Sequence, residues 1–416
     1  MSRRLRSYSL LAIVLVAMLL RLALMVRSSL VFDDPDNYLP VARAIAAGDG
    51  FSFKERATAY RPPLYPLLLV PLLSLGPFAS WGVALLHLSM AAGTVVMTAV
   101  AARGFGLSER RALIAATIAA CDPVLAWQSK SVMTETPAAF LVAAALAGLS
   151  RPRLRGAALG GLAYGLAGLC RPSLLAGAAL TVLAALMARP GGWKERLARS
   201  VVFVVAIGVC LLPWTLRNLV VLGEPIATTT HGGYTLALAN NPVYYREVLN
   251  GPPGRVWTGD DQWRWWNSVN EETAGMTETQ ADRYLQATVW RLARDDPRDF
   301  GWSILARLGH FWGVVPASSV YPAAARLATL AWTLPLWLAL GLGAVRRDLW
   351  RWPSISAPLA VIGLTVVHSL FWTDLRMRAP IVPAIAIIAA GATWPIRDRD
   401  RDGDGAADAR SRSGDH

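Results

Sequence analysis

The 416-residue sequence contains few charged residues, few cysteines and almost no lysine. Asp, Glu, Lys and Arg make up 17% of the chain and hydrophobic residues 54%, whereas soluble domains have about 25% charged residues. This balance argues against an ordinary water-soluble fold. Cys121, Cys170 and Cys210 lie within or at the ends of apolar runs, without CxxC spacing. They indicate buried packing residues and neither a disulfide nor a metal site.

Further absences narrow the classes of function. No GxxxxGK[ST] motif is present, which excludes a P-loop ATPase. His231 and His310 are isolated and lack the spacing of metal ligands. The formal net charge is +13 with only three lysines, and the arginines form short clusters between apolar runs. That distribution argues against a nucleic-acid partner and is typical of arginines that flank helices in a lipid bilayer.

Ten apolar stretches approach the length of about 20 residues that a membrane helix needs. They are 8–27, 81–103, 110–127, 134–150, 155–170, 172–189, 198–216, 325–345, 354–372 and 378–396. The first lacks a small-residue cleavage site, so it indicates an uncleaved helix rather than a signal peptide. The sequence thus predicts an all-α polytopic membrane protein with about ten spans.

The positions of the basic loops predict the orientation. Arginine clusters follow every second span, which places both termini in the cytoplasm and the protein in the cytoplasmic (inner) membrane. This parity requires that Phe300 to Val314 does not cross. Its Arg307 and His310 among apolar residues predict an amphipathic helix on the outer surface.

Four regions follow from this topology. Residues 1–216 form an N-terminal transmembrane module whose first outer loop spans 28–80, and residues 217–324 form a small outer-face subdomain with the amphipathic helix. Residues 325–396 form the last transmembrane helices, and the charged tail 397–416 reads as disordered and cytoplasmic. Trp257, Trp263, Trp265 and Trp266 of the subdomain suit its core better than a sugar platform.

The first outer loop begins with a short helix signal. Asp34 before Pro35 predicts an N-cap with proline at the first helical position, and the helix is expected to run from Pro35 to Ala47. A carboxylate held at the water-membrane boundary can also act as a general base for an acceptor hydroxyl. Both interpretations of Asp34 are open at this point.

The order of motifs in this loop resembles a known family. Asp34 stands four residues before Tyr38, Gly48-Asp49-Gly50 follows, and Arg61 precedes Pro-Pro-Leu-Tyr. This order resembles the first outer loop of the GT-C glycosyltransferases, in particular the bacterial protein mannosyltransferase and aminoarabinose transferase branch. The resemblance implies a GT-C-type transmembrane helix bundle with outer-face juxtamembrane helices. It also implies inverting transfer of a sugar from a polyprenyl-phosphate carrier to an acceptor on the outer face.

The resemblance assigns roles to residues of this loop and of the fourth span. Asp34 matches the catalytic base, with Asp33 as the fallback, and Arg61 matches a phosphate contact. The family often has a second acid directly after the first, where this chain has Pro35; Asp33 or Asp36 would substitute for it. Glu135 resembles the second active-site carboxylate, with a divalent cation as an optional cofactor, and a helix-start acid is the alternative.

Arginines at outer ends of spans run against the expected charge bias and indicate an anionic ligand. They are Arg171, Arg217, Arg376 and Arg378. We assign Arg217, Arg376 and Arg378, with Arg61, to the donor phosphate, because guanidinium groups bind phosphate bidentately. Anionic lipid headgroups are the competing ligand. Tyr38, Tyr65 and Asn218, in the segments that resemble the family, are expected to contact the substrates.

The sequence therefore predicts a hexosyl- or pentosyltransferase that uses a polyprenyl-phosphate-linked sugar donor and a glycan, lipid or protein acceptor. A secondary transporter or flippase for an envelope precursor is the alternative, although its charged groups would gather near the membrane midplane. A catalytically silent scaffold is a third class. No metal ligand set is assigned.

Overall fold

The computed structural model describes residues 3–151, 153–187, 192–251, 257, 259–316 and 321–392. The predicted tail 397–416 lies outside the described residues, as do the ends of two predicted spans, at 188–189 and 393–396. The described chain is almost entirely helical, with one two-stranded hairpin.

The first half of the chain contains ten α-helices and the hairpin. The helices are α1 (Arg3–Arg27), α2 (Tyr38–Ala47), α3 (Leu64–Leu73), α4 (Ala79–Gly104), α5 (Glu109–Cys121), α6 (Pro123–Gln128), α7 (Glu135–Leu149), α8 (Arg153–Cys170), α9 (Leu175–Met187) and α10 (Trp193–Leu222). The strands are β1 (Ser52–Phe53) and β2 (Arg56–Ala57), which pair antiparallel. Short 3₁₀ turns occupy Gly76–Phe78 and Pro172–Leu174.

The second half contains a group of shorter helices followed by the last apolar helices. They are α11 (Gly232–Leu238), α12 (Pro242–Tyr244), α13 (Asp260–Glu272), α14 (Glu278–Asp295), α15 (Pro297–Phe311), α16 (Ala323–Ala344), α17 (Ser356–Leu370) and α18 (Val382–Ala390). A π-turn covers Tyr245–Leu249, and a 3₁₀ segment covers Leu375–Ile381 ahead of α18.

Where the structure describes them, all ten predicted apolar stretches are mainly helical. Four helical segments are long and apolar enough to cross a membrane: Ser7–Arg27, Gly76–Gly104, Trp193–Leu222 and Ala323–Ala344. The stretch 110–127 is two helices rather than one, because Asp122 ends α5 and its carboxylate caps α6 by accepting the Leu125 N–H at 2.8 Å. The apolar helix α3 was not among the ten stretches.

The helix bundle is held together by apolar faces and close helix contacts. Helix α7 packs against α4 and α8, and α8 also packs along α10. A Cβ at Gly161 would lie 2.4 Å from the Phe203 carbonyl oxygen, so only glycine allows α8 and α10 to approach this closely. The largest buried core joins α4, α5, α7, α17 and α18, and it fixes the helix ends that carry the site.

Helix α15 covers residues 300–311 of the segment Phe300 to Val314, and its place on the outer surface stays a prediction. Helix α15 exposes Trp302 and Leu305, each at 56%, and buries Arg307 completely. The Arg307 guanidinium donates to the carbonyl oxygens of Ser369 at 2.7 Å and Ala239 at 2.6 Å. These two carbonyls bind Nε and Nη1 of Arg307, whereas its buried Nη2 has no hydrogen-bond partner among the described residues.

Helices α11 to α14 share a second apolar core of their own. It contains Trp257 and Trp265, which are 5% and 8% exposed, together with Leu285 and Val289 of α14. The expectation that tryptophans form a core is confirmed for these two, whereas Trp263 is 66% exposed. The division into regions 1–216, 217–324 and 325–396 stays a prediction.

Candidate active site

Asp34 caps helix α2 from four residues away. Its two carboxylate oxygens accept the N–H groups of Tyr38 at 2.9 Å and Leu39 at 2.7 Å. The predicted helix start at Pro35 is wrong: Pro35 lies in a turn, Asn37 adopts φ 60°, and the helix begins at Tyr38. The turn lets the carboxylate bind the first free N–H groups of the helix while a second lone pair on each oxygen stays available.

The surroundings of Asp34 make it a better base than an ordinary aspartate. Burial raises the pKa of its carboxyl above the usual value, and the neighbouring Asp36 raises it as well. The N–H groups of Leu39 and Tyr38 and the charge of Arg61 act in the opposite direction. The net upward direction favours proton uptake during a reaction.

Arg61 forms an ion pair with Asp36, with Nη2 and Oδ1 3.3 Å apart. The side chains keep 16% and 29% of their surface exposed, so water reaches the pair. The guanidinium carbon also lies 5.3 Å from the ring centre of Tyr60 and 5.8 Å from that of Tyr38. Burial lowers the pKa of Arg61, but Asp36 and the neighbouring tyrosines together raise it by more, so the net direction is upward. Arg61 is therefore cationic and oriented on three sides.

Glu135 begins α7 and is fully buried. Its Oε1 accepts from Nη1 of Arg171 at 3.2 Å, and Arg171 also donates to the Thr134 hydroxyl at 3.2 Å. Among the described residues, Oε2 of Glu135 has no hydrogen-bond partner. The arginine that the sequence singled out for its unusual position thus meets a carboxylate of the protein.

Asp374 is a site residue that the sequence analysis missed. Its carboxylate lies 3.3 Å from Nε of Arg376 and accepts the Arg376 N–H at 2.9 Å. Burial raises the pKa of Asp374, yet 37% of its side-chain surface is exposed, which places it in a recess that water enters. Its position two residues before a singled-out arginine was the available signal.

Arg376 connects these groups. Burial lowers the pKa of its guanidinium, but Asp374, Glu135 and Asp36 together raise it above the usual value. Asp34 of the first loop belongs to the same group of charges, because it interacts electrostatically with Arg61. Carboxylates and guanidinium groups from the first loop, from the start of α7 and from the segment after α17 therefore share one electrostatic cluster, which we call the charged cluster.

The charged cluster was also compared with the requirements of a metal site. Among the described residues, no group of three or more His, Cys, Asp or Glu side chains could hold a metal ion. Glu135 offers one unpaired oxygen beside a guanidinium, which would repel a cation. The optional divalent cation at Glu135 is therefore not supported by the residues present.

Two predicted substrate contacts near the cluster have structural partners. The Tyr65 hydroxyl lies 2.6 Å from Nε2 of His87, whose Nδ1 lies 2.6 Å from the Ser129 carbonyl oxygen. Because that carbonyl can only accept, Nδ1 carries the hydrogen and the Tyr65 hydroxyl donates to Nε2. Tyr38 packs edge-on against Tyr65, with ring centres 5.4 Å apart. Tyr65 thus packs against the ring of Tyr38 and holds it in place.

Arg217 and Asn218 tie loops together rather than join the charged cluster. Arg217 donates to the carbonyl oxygens of Thr58 at 2.8 Å and Phe51 at 2.7 Å. Asn218 is fully buried and donates to the Ile226 carbonyl at 2.8 Å. Since their donors are committed to backbone carbonyls, these side chains fix the hairpin and the turn after α10.

Arg378 and Asp33 make contacts that belong to the fold. Arg378 is 2% exposed and donates to the carbonyl oxygens of Phe311 and Gly313, with its guanidinium 4.8 Å from the Trp337 ring centre. Asp33 has an exposed side chain, and its carbonyl accepts the Val132 N–H at 2.8 Å.

Of the predicted site residues, the structure brings together Asp34, Tyr38, Arg61, Glu135 and Arg376.

Comparison with known proteins identifies the fold. No protein-family model matches the chain, and no curated protein sequence matches it. Two solved structures with significant similarity are those of the oligosaccharyltransferase of Archaeoglobus fulgidus. The apo form has a TM-score of 0.55 at 14% identity, over 93% of this chain and 50% of that one. AglB in complex with an inhibitory peptide and a dolichol-phosphate has a TM-score of 0.52 at 15% identity, over 97% and 52%.

A third similar structure is ArnT from Cupriavidus metallidurans in the apo state, with a TM-score of 0.48 at 14% identity over 90% of this chain and 57% of that chain. The fold assignment rests on the two oligosaccharyltransferase structures. The chain spans about half of the length of those enzymes. The resemblance noted in the sequence is confirmed for the fold: this is a polytopic helical membrane protein with the GT-C fold.

Proposed function

We propose that this GT-C protein is an inverting glycosyltransferase that moves a sugar from a polyprenyl-phosphate carrier to an acceptor on the outer face of the cytoplasmic membrane. The observation that carries the proposal is the charged cluster. It combines a carboxylate of raised pKa at Asp34 with the cationic Arg61 and Arg376, all within reach of water. A base and a pair of cations are what glycosyl transfer from a phosphate requires.

In this mechanism Asp34 is the general base. Its carboxylate removes the proton from the acceptor hydroxyl as that oxygen attacks the anomeric carbon. The bond from the anomeric carbon to the phosphate oxygen breaks, and its electron pair stays on the phosphate. One displacement from the opposite face inverts the anomeric configuration. The base role is compatible with the helix-capping role, since each oxygen of Asp34 uses only one lone pair on the N–H groups.

Arg61 and Arg376 stabilise the leaving polyprenyl phosphate. Both are paired with carboxylates of the chain, Asp36 and Asp374, at 3.3 Å in each case. We propose that these carboxylates hold the guanidinium groups in place until the donor phosphate competes for them. A partly exposed ion pair contributes little stability, so a doubly hydrogen-bonded phosphate can displace it.

The carriers of the similar structures support a lipid-linked donor. AglB was solved in complex with an inhibitory peptide and a dolichol-phosphate. The apolar surfaces of the four long helices would accommodate an isoprenoid tail in this chain. The charge bias of the loops supports the outer-face placement. We propose a polyprenyl-phosphate hexose or pentose as the donor.

Mass spectrometry of envelope glycolipids and glycoproteins tests the proposal. Cells that lack the protein, or carry only Asp34→Asn, are expected to lose one sugar residue from a glycan or lipid and to accumulate the polyprenyl-phosphate sugar. Asp295→Asn, at the exposed end of α14, is the matched control and should restore the product. An unchanged product with a folded Asp34→Asn protein would indicate a scaffold. Substrate uptake or lipid flipping without a new glycosidic bond would indicate a transporter.

A further inference from the structure

A cavity of about 230 Å³ lies outside the charged cluster, between the turn that follows α10 and the first two turns of α14. Its polar walls include Glu224, Thr229, Thr230, Thr279, Asp282 and Arg283. Pro225 and Ile226 add a small apolar surface. The cavity is a recess of hydroxyl, carboxylate and guanidinium groups around one apolar side, and none of these residues takes part in the transfer chemistry proposed above.

The charges around the cavity do not suit an anion. Glu224 forms an ion pair with Arg283 and accepts the Thr279 hydroxyl at 2.6 Å. Asp282 accepts the Gly233 N–H and an amide hydrogen of Gln286. The walls therefore carry two carboxylates against one guanidinium. A phosphate or carboxylate ligand would meet net repulsion, while an uncharged polar ligand would not.

The start of α14 is not an anion site either. Thr277 and Gln280 form a reciprocal capping box, in which the Gln280 N–H reaches the Thr277 hydroxyl and the Gln280 side chain accepts the Thr277 N–H. These contacts satisfy two of the free donors of the first turn. Binding in the cavity would therefore depend on its side chains.

The cavity shares a wall with the segment that carries Arg61. The Thr230 N–H donates to the Ala59 carbonyl at 3.1 Å. The Thr230 hydroxyl and the Ala59 N–H both donate to Glu278, at 2.9 Å and 3.0 Å. Arg61 follows Ala59 by two residues, so the cavity and the charged cluster lie against the same stretch of backbone.

Three aromatic rings pack against one another beside the segments that carry Thr230 and Arg61. The rings of Tyr60 and His231 have centres 4.3 Å apart, and those of His231 and Tyr234 are 5.1 Å apart. Burial, and then the charge of Arg61, lower the pKa of His231 well below its usual value, so the imidazole is neutral. Aromatic faces beside neutral hydrogen-bonding groups are typical surroundings for sugar rings.

We propose that this cavity binds a neutral sugar unit of the acceptor, which makes the acceptor a glycan rather than a peptide or a plain lipid. The inference rests on the proposed function, because it assigns the second substrate of the same reaction. The sugar bound in the cavity would be one unit away from the attacking hydroxyl. Hydroxyl groups of Thr229 and Thr279 and the ion pair of Glu224 with Arg283 would bind its hydroxyls.

Saturation-transfer NMR on the full-length protein in detergent tests the assignment. The probes are the methyl glycosides of mannose, glucose, galactose and arabinose. We expect at least one glycoside to bind the wild-type protein. Its affinity for Thr279→Val and for Arg283→Gln should be about tenfold or more lower, since each variant loses hydrogen bonds to the sugar hydroxyls. Thr288→Val is the matched control, because it removes a hydroxyl from the same helix outside the cavity.

The outcomes separate this proposal from the proposed function. Binding of undecaprenyl phosphate is measured in parallel on the same samples, and circular dichroism confirms that the variants fold. If undecaprenyl phosphate binds but no glycoside does, the cavity assignment fails and the transferase proposal stands. Glycoside binding that Thr279→Val and Arg283→Gln leave unchanged would also overturn it. Displacement of the glycoside from wild-type protein by inorganic phosphate or an acetylated tripeptide would overturn the preference for carbohydrate.

Discussion

The buried ion pair between Glu135 and Arg171 makes a quantitative prediction about stability. Glu135 is 0% exposed and Arg171 13%, and their charged atoms are 3.2 Å apart. Arg171→Met removes a cation that neutralises a carboxylate with one oxygen already unpaired. Loss of one partner of a buried pair costs about 3–5 kcal/mol, so we expect a decrease of that size in the free energy of unfolding.

Unfolding in mixed detergent and dodecyl sulfate micelles, followed by tryptophan fluorescence, measures this decrease. The double variant Glu135→Gln with Arg171→Met should recover most of the loss, because no buried charge remains. Arg264→Met is the control, since the Arg264 side chain is 74% exposed although it also pairs with a carboxylate. The reasoning fails if Arg171→Met is no more destabilised than Arg264→Met, or if the double variant is as unstable as the single one.

Three predictions concern activity and donor binding. Asp34→Asn should lower kcat/KM about 100- to 10,000-fold, because it removes the general base. In wild-type protein, kcat/KM should fall as the pH drops through the raised pKa of Asp34. The pH profile of the variant should be flat in that range. Arg61→Met should weaken undecaprenyl phosphate binding about tenfold or more in a flotation assay, and Arg61→Lys should recover part of it. Asp36→Asn should tighten that binding about two- to fivefold, because it removes the carboxylate that competes for Arg61; weaker binding would contradict the displacement of Asp36 by the donor.

Apolar periodicity and length predicted most of the helices, because burial of apolar surface in a bilayer or a bundle leaves a strong pattern. The break at Asp122 and the local start of α2 at Tyr38 depended on turn geometry that the sequence pattern leaves open. The burial of Arg307 in α15 was not predictable, because the pattern cannot show that carbonyls of Ser369 and Ala239 accept from it. Pairing partners distant in sequence decide such cases.

The sequence motifs singled out Asp34 and Arg61, and their roles in a site stay predictions. The arginines at span ends were correctly singled out as unusual, but their partners differ: Arg376 joins the charged cluster, whereas Arg378 binds backbone carbonyls of Phe311 and Gly313. Two positions separate these arginines, and only the turn of the 3₁₀ segment directs them to different surroundings. Asp374 was overlooked although it lies two residues before Arg376, because proximity in sequence alone does not show that the two side chains pair.

The contacts of Glu278 have a consequence for the order of biosynthesis. Its carboxylate accepts from the Thr58 hydroxyl, 220 positions earlier in the chain, and from the Thr230 hydroxyl, 48 positions earlier. A ribosome adds about 5–20 residues per second, so the segment that bears Arg61 emerges roughly 10–40 s before its anchor. Nascent chains that stop short of α14 would carry every charged side chain of the first loop but lack the Glu278 contacts that hold this loop in place. The complete site would therefore form late in translation.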